Sequence, residues 1–366
     1  MRYVFIVQGE GRGHLTQAIA TRDLLVREGH EVTEVLVGKR SSVALPLFFL
    51  ERIGTPVSTF ASVYFLFSPG SKRAHFFRTI LHHASRLPAY FKSVLFIKRR
   101  VEANKPDVVI NFYEVLAGVT YALFRLKVPC VCMAHQYLFL HPDFLLPPRA
   151  SRLELRALLF FTRLTCLRAV RLLALSFREM PAAGRMRVIP PRVRGEVKQQ
   201  VRDSGDFILG YLLDAGFAGQ VIEWHERHPG IPLRFFWNKE GAPRVTRVDD
   251  HLMFHQLDAT AFLEQMAACK GYASTGGFES ICEAMYLQKP VMMVPAHVEQ
   301  ECNAFDAMNV GAGIASATFD LSTLIDYIPS YVGNPGFVAW VDRADEMFTR
   351  ELEAVTGECC PAGRSN

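Results

Sequence analysis

The sequence predicts an α/β chain of two doubly wound domains facing one cleft, and three observations lead there. At 366 residues the chain has room for two domains of roughly 150 to 200 residues each. Its first apolar run, residues 3–8, breaks into glycines and is followed at once by a helical pattern. After a charged stretch the same opening, a strand running into a small-residue turn, restarts at residue 207.

In the first half, residues 15–27 carry apolar side chains at helical spacing up to Gly29, and 31–37 return to β-branched residues. Strand, loop, helix, strand is a βαβ unit, which implies a right-handed crossover and a parallel sheet. Further buried strands are expected at 108–111, 130–134, 172–176 and 187–189, so the first domain runs over 1–191. Residues 192–206 are charged, contain glycine and lack an apolar period, which suits an interdomain linker. In the second half, strands are expected at 207–213, 233–237, 270–273 and 291–294. Helices are expected at 221–227, 262–268 and 276–287, the last closed by Lys289 and Pro290. This second domain spans 207–340, and 341–366 reads as a C-terminal helix and tail.

Half of the residues are apolar and 21% are charged, which excludes a disordered chain. No cleavable leader pattern opens the sequence, and arginines interrupt every apolar stretch before it reaches the length of a membrane span. The eight cysteines are scattered without paired CxxC spacing, so no zinc site is expected and they read as small buried residues of a reducing, cytoplasmic setting.

The most informative stretch is Ser274-Thr275-Gly276-Gly277-Phe278, with Glu283 six residues after Gly277. A strand delivers Ser and Thr to a glycine pair at a helix start. Unpaired N–H groups and the positive end of the helix dipole there suit a pyrophosphate. Glu283 lies one helical turn beyond Glu279, where a carboxylate accepts two hydroxyl hydrogen bonds, as a ribose offers. In the loop after the next strand, Glu299 and Gln300 stand side by side and together supply the donors and acceptors that sugar hydroxyls need. The bland reading of the same residues is a capped helix start followed by a solvated glutamate.

Taken together these segments resemble the C-terminal donor domain of GT-B glycosyltransferases, the group of two Rossmann-like domains that contains the MurG-like family 28 enzymes and the UDP-glycosyltransferases. The resemblance implies that Thr275 to Phe278 hold the diphosphate, Glu283 the ribose, and Glu299 with Gln300 the donor sugar of a nucleotide sugar, UDP-linked by analogy. Thr275 stands where the family has a phosphate-contacting histidine, so one charged contact is missing.

The resemblance extends to the first glycine turn. Gly13-His14 opens the first helix as it does in the family, where this histidine faces the acceptor. His14 is therefore the candidate general base, since a neutral imidazole accepts a proton from an attacking hydroxyl; the alternative is a helix residue that only packs. Arg12 is available to phosphate. His135 and Gln136, after the strand at 130–134, stand where the family lines its acceptor cleft. Glu114 either lines the cleft, orients a histidine or is a solvated loop carboxylate.

Charge is unevenly spread. Between Lys72 and Lys105 nine Lys or Arg face one acid, and between Arg149 and Arg192 ten Arg face two Glu, interleaved with large apolar residues. Basic amphipathic helices suit an anionic lipid surface, so segments 72–105 and 149–178 are expected to attach the chain to the inner face of the cytoplasmic membrane. The alternative is that they pack on the sheet while their arginines extend to water. No nucleic-acid-binding motif accompanies the charge.

The resulting expectation is an inverting, metal-independent glycosyltransferase, using no cofactor beyond its nucleotide-sugar donor and acting on a lipid, lipid-linked or cell-envelope acceptor. Two rivals share the donor site: a UDP-sugar 2-epimerase, and a non-catalytic nucleotide-sugar-binding subunit that recruits a membrane partner.

Overall fold

The computed structural model describes residues 1–40, 42–63, 85–201, 203 and 205–359. The fold class is the one the sequence predicts, two parallel-dominated sheets of seven strands each, flanked by helices. The first sheet is built from β1 (Arg2–Gln8), β2 (Glu31–Lys39), β3 (Val57–Ala61), β4 (Val108–Phe112), β5 (Cys130–Ala134), β6 (Arg171–Leu175) and β7 (Met186–Ile189), in the order β3-β2-β1-β4-β5-β6-β7. The second contains β8 (Ile208–Leu212), β9 (Leu233–Trp237), β10 (Val245–Arg247), β11 (Leu252–Gln256), β12 (Gly271–Ser274), β13 (Val291–Met293) and β14 (Gly313–Ala315), in the order β10-β11-β9-β8-β12-β13-β14. Among the described strands only β10 runs antiparallel, along the edge.

The central strands read as continuous apolar runs because helices cover both faces of a parallel sheet. Tyr3 to Val7 in β1 are all buried. In each sheet the strand order reverses beside the first strand, β1 between β2 and β4 and β8 between β9 and β12, which opens a crevice at their carboxyl ends.

The helices are α1 (Gly13–Arg27), α2 (Leu47–Arg52), α3 (Leu87–Asn104), α4 (Val115–Phe124), α5 (Arg152–Thr165), α6 (Gly195–Lys198), α7 (Ala218–Arg227), α8 (Ala259–Ala268), α9 (Phe278–Tyr286), α10 (Val298–Asn309), α11 (Ser322–Tyr327), α12 (Pro335–Asp342) and α13 (Ala344–Cys359). One expectation is corrected here. The stretch around Glu299 and Gln300 is the first turn of α10 and not a loop. Glu299 and Glu301 there suit the positive end of its dipole, and Gln300 Oε1 accepts from Ala296 N at 2.9 Å, which ties down its entry.

The last two helices return to the first domain. Trp340 Nε1 donates to Ser176 O at 2.9 Å, Arg27 and Arg192 both pair with Asp345, and Arg171 and Arg187 both reach Glu351. These contacts tie the end of the chain to the first sheet and its helices.

Candidate active site

The loop over residues 274–278, read from the sequence as the diphosphate site, has a fixed backbone path. β12 ends at Ser274, whose Oγ accepts from Gly276 N at 3.2 Å, and Gly276 takes φ +86°, a conformation that strains any residue with a Cβ. The Gly276 carbonyl accepts from Asn303 Nδ2 at 3.1 Å, and Gln300 Nε2 donates to Thr275 Oγ1 at 3.3 Å. Gln300 thus spends both ends of its amide on Thr275 and Ala296, and its buried position is explained by holding this loop. Gly277 is the N-cap of α9 and no side chain caps the helix, which leaves its first-turn N–H groups for a ligand.

The first domain comes directly against this turn. A Cβ on Gly13 would stand 3.1 Å from Glu279 Cγ, and Gln17 Nε2 donates to Glu279 Oε2 at 2.6 Å. Burial pushes the Glu279 carboxyl up to about 8, so it holds its proton at neutral pH. His14, one residue from that contact, stacks on Tyr113 with ring centroids 5.4 Å apart. Desolvation lowers its pKa to about 4, so the imidazole is neutral.

Two further pairs bridge the cleft. His135 stacks on Phe278 at 3.8 Å, with Phe177 4.8 Å from the same phenyl ring. Its Nδ1 donates to Leu175 O at 2.7 Å, and burial takes its pKa to about 3, which leaves it a neutral packing residue of the interface. Gln136 Nε2 donates to Glu299 Oε1 at 2.9 Å, so a residue read as acceptor cleft and one read as sugar ligand meet each other. Arg178 pairs with Asp306 alongside.

The structure corrects the solvated reading of Glu114. It is 0% exposed and is the N-cap of α4, accepting from Leu116 N at 3.0 Å and Ser62 Oγ at 2.5 Å. Burial raises its pKa to about 7. These partners belong to the interior of the first domain, and none of them is His14. Glu283 differs from a glutamate open to a ribose. It is 4% exposed and held by Arg194, with Nε to Oε1 at 2.6 Å and a second nitrogen to Oε2 at 2.9 Å. Arg12 lies over the Phe48 ring at 4.1 Å.

Of the two basic segments, 72–84 lies outside the described residues. In 149–178 the arginines divide. Arg171 is buried against Glu351 and Arg178 bridges to Asp306, both structural, whereas Arg149, Arg152, Arg156, Arg163 and Arg168 are exposed. Leu153 at 67% and Phe160 at 62% exposure share the solvent face of α5 with Arg152, Arg156 and Arg163. No described helix is long and apolar enough to cross a membrane, and no group of three or more His, Cys, Asp or Glu among the described residues could hold a metal ion.

Sequence reasoning gave no role to Glu279, Gln17, Arg194, Tyr113 or Asn303. A signal existed for Glu279, which is an acid in the first turn of the glycine-led helix. None existed for Arg194, which sat in a stretch without period.

The pattern that defines glycosyl transferase family 1 matches residues 1–330. The chain belongs to that family. It is a glycosyltransferase with a nucleotide-sugar donor, and the resemblance to the GT-B group is borne out. Solved structures that share its fold include the following. Phytolacca americana UGT2 complexed with UDP-2fluoro-glucose and pterostilbene has a TM-score of 0.66 at 14% identity, over 98% of each chain. CalG4, the calicheamicin glycosyltransferase, has a TM-score of 0.64 at 14% identity, over 99% of this chain and 100% of its own. The spinosyn rhamnosyltransferase SpnG complexed with thymidine diphosphate has 0.59 at 15% identity, over 98% and 100%. At these identities the likeness is one of fold. No curated protein matches the chain.

Proposed function

We propose that this family 1 glycosyltransferase inverts the anomeric centre of its donor without a metal ion, and that His14 is its base. The observation that carries the reading is the contact of Gly13 and Gln17 with Glu279, which sets the His14 loop against the first turn of the donor helix. His14 takes the proton of an acceptor hydroxyl, the acceptor oxygen bonds to the anomeric carbon, and the bond to the diphosphate oxygen on the opposite face breaks. The leaving charge falls on the uncapped N-terminus at Gly277. A base this weak accepts its proton late, when the sugar's cationic character has made the attacking hydroxyl acidic. The donor is a UDP- or TDP-sugar, the two diphosphates named with structures of this fold.

The acceptor is a lipid or lipid-linked glycan. The support is the solvent face of α5, where Leu153 and Phe160 alternate with three arginines as interfacial helices do. An anionic membrane surface is the partner that such a face suits.

The test is His14→Ala assayed for diphosphate release with nucleotide sugars and lipid extracts. Transfer should fall by about 100-fold or more, the span of general-base catalysis, with diphosphate affinity unchanged. Unchanged turnover would remove His14 from the mechanism. Interconversion of the donor sugar without an acceptor would instead identify an epimerase, and no release with any acceptor a binding subunit.

A further inference from the structure

The donor loop lacks a cation, since Thr275 stands where a charged contact was expected, yet two arginines lie within reach of α9. Arg194 comes from the stretch that joins the two domains. Its guanidinium forks onto Glu283 at 2.6 and 2.9 Å, and the pair is nearly buried. Burial opposes its charge and Glu283 more than offsets this, so its pKa is raised. Arg12 precedes Gly13, the residue that touches Glu279. Burial lowers its pKa, and it lies within the electrostatic field of Tyr211, Arg194 and Glu283. Its guanidinium has the Phe48 ring beneath it and no carboxylate partner among the described residues.

A fork–fork pair engages both carboxylate oxygens of Glu283, the two acceptors that the donor reading gives to a ribose diol. The same glutamate cannot serve Arg194 and the diol in that way together. We infer that donor binding exchanges these partners: the ribose hydroxyls take Glu283, and the released Arg194, together with Arg12, pairs with the diphosphate. The inference rests on the donor reading above.

The charges balance on both sides of the exchange. In the structure as it stands Arg194 neutralises Glu283, and Arg12 has no carboxylate partner among the described residues. With donor bound, Glu283 keeps its charge within hydroxyl hydrogen bonds, and each phosphate gains an arginine. Glu279, in the first turn of α9, holds its proton and does not repel the diphosphate. The exchange also makes the linker part of the donor site. Arg192, two residues before Arg194, pairs with Asp345 and donates to Ala20 O, so this segment is fastened to α1 and α13 while Arg194 moves.

The experiment compares UDP with uridine, and TDP with thymidine, by calorimetric titration of the full chain and of Arg194→Ala and Arg194→Lys. Removing Arg194 deletes a phosphate contact but frees Glu283. Affinity for the diphosphate should therefore fall about 10- to 100-fold, the span of hydrogen bonds to a charged group. Affinity for the nucleoside should hold or rise. The lysine variant keeps a point charge and should retain part of the diphosphate preference, and Arg12→Ala should lower diphosphate affinity alone. If Arg194→Ala weakens nucleoside and diphosphate equally, Arg194 only steadies Glu283 and the exchange is wrong. If neither ligand is affected, Arg194 has no part in the site. A wild-type chain that binds neither UDP nor TDP would remove the donor reading itself, an outcome distinct from both.

Discussion

Glu279→Gln tests whether the cleft depends on a carboxyl that stays neutral. The wild-type side chain is pushed from 4.5 up to about 8 chiefly by burial against the first domain, and it accepts from Gln17 Nε2 at 2.6 Å. A displacement of that size corresponds to about 5 kcal/mol between the two protonation states as an upper bound. The residue as a whole is partly exposed, so about 2–3 kcal/mol is the working figure. The sign follows from proton linkage. Because the folded value is raised, the stability from the neutral form is full below about 4.5 and is lost as pH rises through about 8. Glutamine keeps the acceptor oxygen and cannot ionise. Thermal melts of the two proteins should therefore coincide near pH 5 and diverge by pH 9, with the variant the more stable. Diphosphate affinity should follow the same course, since an ionised Glu279 repels the ligand. Melting curves that stay parallel from pH 5 to 9 would refute the reasoning, because they would mean that Glu279 is ionised throughout.

Three further outcomes are expected. The acid limb of the kcat/KM profile should lie near pH 4, where His14 titrates, and not near 6.5, and this limb should vanish in the residual activity of His14→Ala. Gly276→Ala should lower the melting temperature by an amount equivalent to about 1–2 kcal/mol and weaken donor binding. Its new Cβ would meet Gln300 O only at 3.4 Å, so backbone strain at φ +86° and not a clash is the cause. Replacing both Leu153 and Phe160 by Glu should abolish co-sedimentation with anionic vesicles while leaving melting and donor affinity unchanged, because both side chains face solvent.

Much of the fold was legible because its signals are local. Strands β5 and β9 coincide with the expected stretches 130–134 and 233–237, and most others agree within a residue or two, since an apolar run ended by a glycine carries its boundary within itself. Strands such as β3 and β14 were missed. Val57–Ala61 alternates weakly and Gly313–Ala315 has three residues, so neither shows a period, and each exists because a neighbouring strand offers it hydrogen bonds. The helix at Glu299 was read as a loop because its residues are mostly polar and its apolar face depends on what lies beneath it.

By itself the sequence determined that each half opens on a strand and a small-residue turn, that a helix follows the glycine pair Gly276-Gly277, and that His14 stands at the start of the first helix and Glu283 within the later one. Tertiary structure alone decided what those groups face. Gln136 meets Glu299, Gln17 meets Glu279 and Arg194 meets Glu283 across separations of 163, 262 and 89 residues. Periodicity reports which side of an element is apolar, but the partner, the desolvation and hence the charge of a polar group depend on what another part of the chain brings against it. That is why Glu279 read as an ordinary helix acid, and why closure of the two domains makes it a neutral one.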